Sequence, residues 1–183
     1  MGISTLIKTL TASGDSSLSF VNGASSVVLD GTYDEYMFVF TDIGPATNNT
    51  PLEFQCSTDA GSNYNLTLTT TAFAAYQEED SSPATLEYRT SVDLAQSTDF
   101  QILAEELGNG ADESCAGILH LFSPASTTYV KHFYSRFHEY QQENRSYDMF
   151  IAGYFNTTSD IDAIQFKMRS GNFDGVIQMY GIS

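Results

Sequence analysis

Three histidines and two cysteines are the side chains here best suited to metal binding or nucleophilic attack, and their spacing argues against both. His132 and His138 stand six apart in an alternating segment, so on a strand they share a face with Val130, Tyr134 and Arg136. Six residues of strand span roughly 20 Å, too far for both imidazoles to hold one ion within a single copy. His120 belongs to the preceding segment, and a hairpin joining 115–123 to 128–138 would bring it near His132 across the pair. Three imidazoles would suit zinc or nickel, but this geometry leaves no metal site expected. Cys56 and Cys115 match no metal-ligand spacing, and two cysteines do not make a disulfide framework. They are expected to be free, buried thiols, with a single bridge between strands as the alternative.

Other chemistries fare no better. Neither GxSxG, GxGxxG nor GxxxxGK occurs, so the nucleophile elbow and the phosphate-cradling loops are missing. Asp59, Asp112 and Glu113 are hard oxygen ligands beside flexible glycines, a weak calcium signal that matches no EF-hand loop. Carboxylate pairs for glycoside cleavage could hide among 23 acids, though the linear order does not say which converge. The expectation is a protein without catalytic residue, cofactor or metal, which works by contact.

The elements that must carry such contacts read as strands. Tyr33–Ile43 alternates Tyr36, Phe38 and Phe40 against Met37, Val39 and Thr41. Both of its faces are rather apolar, which implies a central strand covered on both sides or an outer face that meets a partner. Leu52–Thr58 alternates as a half-buried strand. Further strands are expected at Ser4–Thr11, Ser17–Val21, Ser26–Leu29, Leu66–Ala72, Thr85–Ser91, Phe100–Leu107, Cys115–Ser123, Thr128–His138, Asp148–Asn156, Ala163–Arg169 and Gly175–Ile182. Turn formers separate them (SGD, NGAS, GPATNNTP, DAGSN, GNGADE, SPAST, SGNFDG). About a dozen short strands at this spacing predict an all-β antiparallel sandwich, jelly-roll-like, with little helix. Phe73–Asp80 is the one segment expected to make two helical turns. No linker, charge block or repeat divides residues 1–183, so a single domain is expected, with both chain ends tied down in the sheet or by neighbouring subunits.

Seven Lys and Arg against 23 Asp and Glu give a net charge of −16. Such a surface repels phosphate backbones and anionic lipid, which excludes nucleic acid and membrane as partners. No apolar run is long enough to span a bilayer, and the first residues make neither a secretion signal nor a myristoylation site, with Leu6 where Ser or Thr is needed. Any export would have to take another route, such as lysis of a host cell. The 13 Phe and 11 Tyr exceed what a sandwich of this size must hide, and tyrosine is a common interface residue. Tyr129, Tyr134, Tyr140 and Tyr147 are therefore candidate interface or ligand contacts. Asn63, Tyr64 and Asn144 join Tyr140 and Tyr147 as loop residues that could grip a sugar.

Several stretches taken together resemble a family of small structural proteins of bacteriophages, especially marine ones. A tyrosine-rich strand runs into an I-x-PAT turn (Ile43–Thr47), an apolar strand follows (Leu52–Thr58), then an S-x-D-G/A-G-S-x-Y loop (Ser57–Tyr64), and the chain closes on YGI (Tyr180–Ile182). SSPATLEYRTS, TTYVKHFYS and FIAGYFNTTSDIDAIQFKMRSGN add to the likeness, which covers nearly the whole chain. The resemblance implies a virion component on capsid or tail, made in the host cytoplasm and displayed on the particle surface. It carries over no catalytic residue. Decoration of the shell beside the major capsid protein, as a homotrimer, is the leading expectation. A tail-associated module recognising host surface glycan is the alternative, and a polysaccharide-degrading enzyme a distant third.

Overall fold

The computed structural model describes residues 3–80 and 84–183, and all of its regular elements are strands. In chain order they are β1 (Ser4–Asp15), β2 (Ser17–Val21), β3 (Glu35–Pro45), β4 (Thr50–Ser57), β5 (Leu68–Glu78), β6 (Thr85–Tyr88), β7 (Gln101–Leu107), β8 (Cys115–Phe122), β9 (Lys131–Gln141), β10 (Arg145–Phe155), β11 (Ala163–Met168) and β12 (Phe173–Ile182). Every pairing between them is antiparallel.

The pairings lay out two layers. The larger runs β1-β12-β3-β8-β9-β10-β5-β6, and the smaller β2-β11-β4-β7. Leu107 of β7 pairs with Gln141 of β9, and β1 passes into β2 through a bend at Ser16, so the layers join at two corners and the body is nearly closed, like a barrel. Set β5, β6, β9 and β10 aside, and β1-β12-β3-β8 faces β2-β11-β4-β7. That is the strand order of a double Greek-key jelly roll. The pairs β5–β6 and β9–β10 widen one layer only.

Alternation explains why these segments choose this arrangement. Phe38 and Phe40 on β3, Phe133 and Phe137 on β9 and Phe155 on β10 point inward from the larger layer, and Phe20, Phe54 and Phe166 answer from the smaller. The rings meet edge to face, for example Phe40–Phe166 at 4.9 Å and Phe54–Phe133 at 5.1 Å between centroids. Each such side chain contributes about 1.5–3 kcal/mol by leaving water, and an edge-to-face contact about 0.5–1.5 kcal/mol more. Gly117 lies opposite Phe137 because a Cβ there would stand 2.5 Å from that ring. Cys56 and Cys115 are free and buried on different layers, where loss of water pushes both thiols up.

Three expectations fail. Leu52–Thr58 is not half-buried: Leu52, Phe54 and Cys56 face the core, and Glu53 and Gln55 on the other side are buried too, with loop chain held over them by the Gln55 side chain. Phe73–Asp80 is not helical: β5 continues to Glu78, held by eleven cross-strand partners on β10. Ala72 and Ala74 turn inward while Phe73 and Ala75 face out, so pairing overrides the helical preference of the alanines and glutamates. Ser26–Leu29 is not a strand. Ser25 and Ser26 take left-handed backbone at φ 51° and 68°, and the Asn22 side chain accepts from the Leu29 amide, which folds Val27 and Leu29 into the core as a loop. Met1 lies outside the described residues; from Ser4 onward the first strand is tied to β12.

Lys131, the first residue of β9, holds the loops around the start of that strand. It is fully buried, and its ammonium donates to the carbonyls of Ser126, Tyr129 (3.1 Å) and Thr157 (3.4 Å). Burial lowers its pKa. Lys131→Met keeps the stem but strands three carbonyls, and should lower stability by about 2–4 kcal/mol, read from the urea midpoint.

Candidate functional site

The seven sequence candidates do not converge. Tyr147 is the clearest correction. It is buried, its ring stacks on Tyr76 at 5.7 Å, and its hydroxyl donates to Glu105 at 3.1 Å, so it serves the core. On β10 its parity is that of Met149 and Ile151, which also point inward. Tyr140 stands near the end of β9, and its hydroxyl donates at 3.3 Å to the side chain of Asn144 in the β9–β10 turn. Asn63 sits in the turn after β4, and Tyr64 lines a depression over the smaller layer. Tyr129 is exposed in the loop before β9, and Tyr134 stands on the outer face of the larger layer.

The loop acids separate as well. Asp59 is satisfied by its own turn: the Ser57 hydroxyl and the Asn63 amide and side chain donate to it, holding its pKa down to about 2. Asp112 and Glu113 lie in a different loop, between β7 and β8. No group of three His, Cys, Asp or Glu that could hold a metal ion occurs among the described residues.

All three histidines instead share the outer face of the larger layer. His120 pairs across the strands with Tyr134, not His132, and stacks on its ring at 4.6 Å. His120 Nδ1 meets the Glu35 carboxylate, His132 lies beside Tyr154, and His138 Nε2 is 2.9 Å from the Ser146 hydroxyl. Strand register spreads this into rows. One row reads Leu6, Tyr180, Met37, His120, Tyr134, Ala152, Thr71; the next reads Gln178, Val39, Ile118, Arg136, Phe150, Phe73, Tyr88. Phe73 stacks on Phe150 at 4.8 Å, and the Arg136 guanidinium lies 4.9 Å over that ring while its nitrogens reach Asp148 at 2.7 Å. Of the two readings offered for β3, the chain itself covers only one side.

The smaller layer differs because chain covers it. The Gln55 side chain donates to the carbonyls of Leu66, Thr98 and Asp99, pinning two loop segments over the sheet. Between them lies a depression of about 550 Å³ whose walls include Glu53, Tyr64, Asp99, Phe100, Lys167 and Arg169. Glu53, nearly buried, takes Lys167 at 3.4 Å and Arg169 at 3.2 Å, and the Lys167 ammonium sits 4.0 Å above the Phe100 ring. Two cations and two carboxylates, Glu53 and Asp99, thus share the lining, a local balance in a chain of strongly negative charge. An aromatic wall beside charged donors could hold a polar, carboxylate-bearing ligand.

Sequence reading missed a buried polar group. Lys131, Ser135, Glu139 and Gln141 have the same inward parity on β9 as Phe133 and Phe137, and that parity was the available signal. Glu139 is fully buried; it accepts from the Glu105 amide at 2.9 Å and the Gln141 side chain at 3.2 Å. Glu105 is held by Arg89 at 2.9 Å and by Tyr147. Desolvation pushes the Glu139 carboxyl well above the usual range, and the buried Gln141 Oε1 has no partner. The group is sealed from any substrate and braces β7 against β9.

No protein-family model, no curated protein and no solved structure matches the chain.

Glu139 supplies a test of this bracing. Its folded pKa is raised, so as pH climbs above the ordinary carboxylate value the unfolded chain releases a proton that the folded site retains, and stability falls until the folded pKa is passed. Glu139→Gln should remove that slope, and a rotated Gln141 amide could then accept from the new donor. Urea midpoints across pH 4–8 should converge in acid and favour the variant at the upper end.

Proposed function

We propose that this chain is a non-enzymatic structural protein of a bacteriophage virion, seated on the particle surface as a decoration or cement-like subunit beside the major capsid protein. One observation carries the reading: the outer face of the larger layer is broad, aromatic and nearly free of charge. The charged side chains along its central rows are Glu35, Arg136 and Asp148, with Asp174 at the end of β12, against 23 acids in the whole sequence. An extended apolar patch depleted of charge marks a contact surface. Apart from the buried Glu53, Glu105 and Glu139, most of the other acids lie elsewhere on the surface, which suits a particle bathed in salt. Jelly rolls serve in viral capsids and lectins alike, so the fold alone favours neither role, and the resemblance to phage structural proteins tips the balance.

Immunogold labelling of intact particles should place the protein on the head surface, and purified chain should rebind saturably to shells stripped of it. Labelling confined to the tail would move the reading to the alternative, a module that recognises host surface glycan. The depression beside Phe100 favours that second reading in one respect, since an aromatic wall next to Lys167 and Arg169 suits an acidic sugar. A glycan array would then show uronic or sialic acid binding that Arg169→Ala weakens at least tenfold.

A further inference from the structure

Eight large apolar side chains are exposed among the described residues, and six of them share the outer face of the larger layer: Leu6 (50%), Phe73 (45%), Leu86 (72%), Tyr88 (52%), Ile118 (39%) and Tyr134 (47%). The other two, Ile3 and Tyr129, lie at the start of the chain and in a separate loop. The seven strands from β12 to β6, which carry all of the six but Leu6 of β1, make at about 4.8 Å each a face roughly 34 Å wide, and the rows along the strands add about 20 Å. The footprint of roughly 700 Å² approaches the ~800 Å² per partner of a standard stable interface.

Charge selects the occupant. A copy carrying −16 repels another copy across most orientations. The central rows of the outer face are the exception: within the same copy Asp148 is paired with Arg136 and Glu35 meets the His120 ring. Burying those rows against their like leaves neither carboxylate without a partner, keeps Asp174 at the end of β12 outside the contact, and removes the apolar side chains from water. Symmetry follows from the same inventory. A ring of three would need a second, different apolar patch for each face to dock on, and Ile3 and Tyr129 do not make one. Only the face itself is complementary to the face.

We infer that two copies pair through this face across a two-fold axis, with Phe73, Ile118 and Tyr134 buried between them, in place of the trimer expected from class behaviour. The inference rests on the reading of this face as a contact surface and names what covers it. Because two copies double the charge, pairing should tighten as salt screens the rest of the surface.

Sedimentation velocity and light scattering on the full chain test it. The expected species has twice the 20.1 kDa of one chain, with a Kd that falls as ionic strength rises. Ile118→Glu and, separately, Phe73→Glu should weaken pairing about 100-fold or more, while Ile3→Glu, the same chemical change off the face, should leave it unaltered. Far-UV circular dichroism and the urea midpoint report whether each variant folds, and either outward-facing position alone suffices. A monomer at every concentration, a trimer, or a dimer indifferent to both face variants would overturn the inference. A monomeric chain whose Ile118→Glu variant loses particle binding would also overturn it, yet leave the virion reading standing. A dimer that never associates with particles would support it and remove that reading.

Discussion

The ring of Phe166 stands where the two layers meet, within 6.3 Å, centroid to centroid, of Phe20, Phe38, Phe40 and Phe54. Neither layer could bury this much aromatic surface by itself. A jelly roll closes because strands next to one another in the chain alternate between layers, and each crossing is stabilised only if both inner faces are apolar at matching heights. Side-chain alternation on β2, β3, β4, β9, β10 and β11 supplies that match. The polar residues admitted to the interior are held to the same condition: Lys131 by three carbonyls, Glu105 by Arg89 and Tyr147, and Glu139 by an amide and a side chain.

With the interior settled, the two outer surfaces diverge. Loops pinned by Gln55 cover the smaller layer and leave a polar depression edged by Lys167 and Arg169. No described residue outside its own strands is pinned over the outer face of the larger layer in this way. The pairs β5–β6 and β9–β10, which the eight-stranded body does not need, contribute Phe73, Leu86, Tyr88, Tyr134 and Phe150 to its outside. The added strands thus build most of the proposed contact surface while leaving the closed body intact.

Much of the architecture was legible in the residues, and the limits are instructive. Ser17–Val21 is read with the bounds it has in the structure, because an alternating strand between turn formers carries its own punctuation. Phe73–Asp80 misleads, since its alanines fit helix or strand and only β10 decides. Tyr147 misleads differently: polar neighbours in sequence hid an inward parity. His120 was expected to face His132 by count along the strands, yet the register of β8 on β9 sets it against Tyr134, a matter of two residues that turn length decides. The depression beside Phe100 was invisible because Glu53, Phe100 and Lys167 come from three distant segments.

The place of β12 has a kinetic consequence. This strand lies between β1 and β3, so Leu6 reaches its neighbour Tyr180 and Met37 reaches the same residue from the other side only when the late segment has arrived. Until then a nascent chain holds two unpaired strand edges, the template on which strangers add. Contacts of such sequence separation form slowly, and ribosomal synthesis prolongs the interval. Strong negative charge offers protection during that wait, keeping unfinished chains apart while the final strand is made.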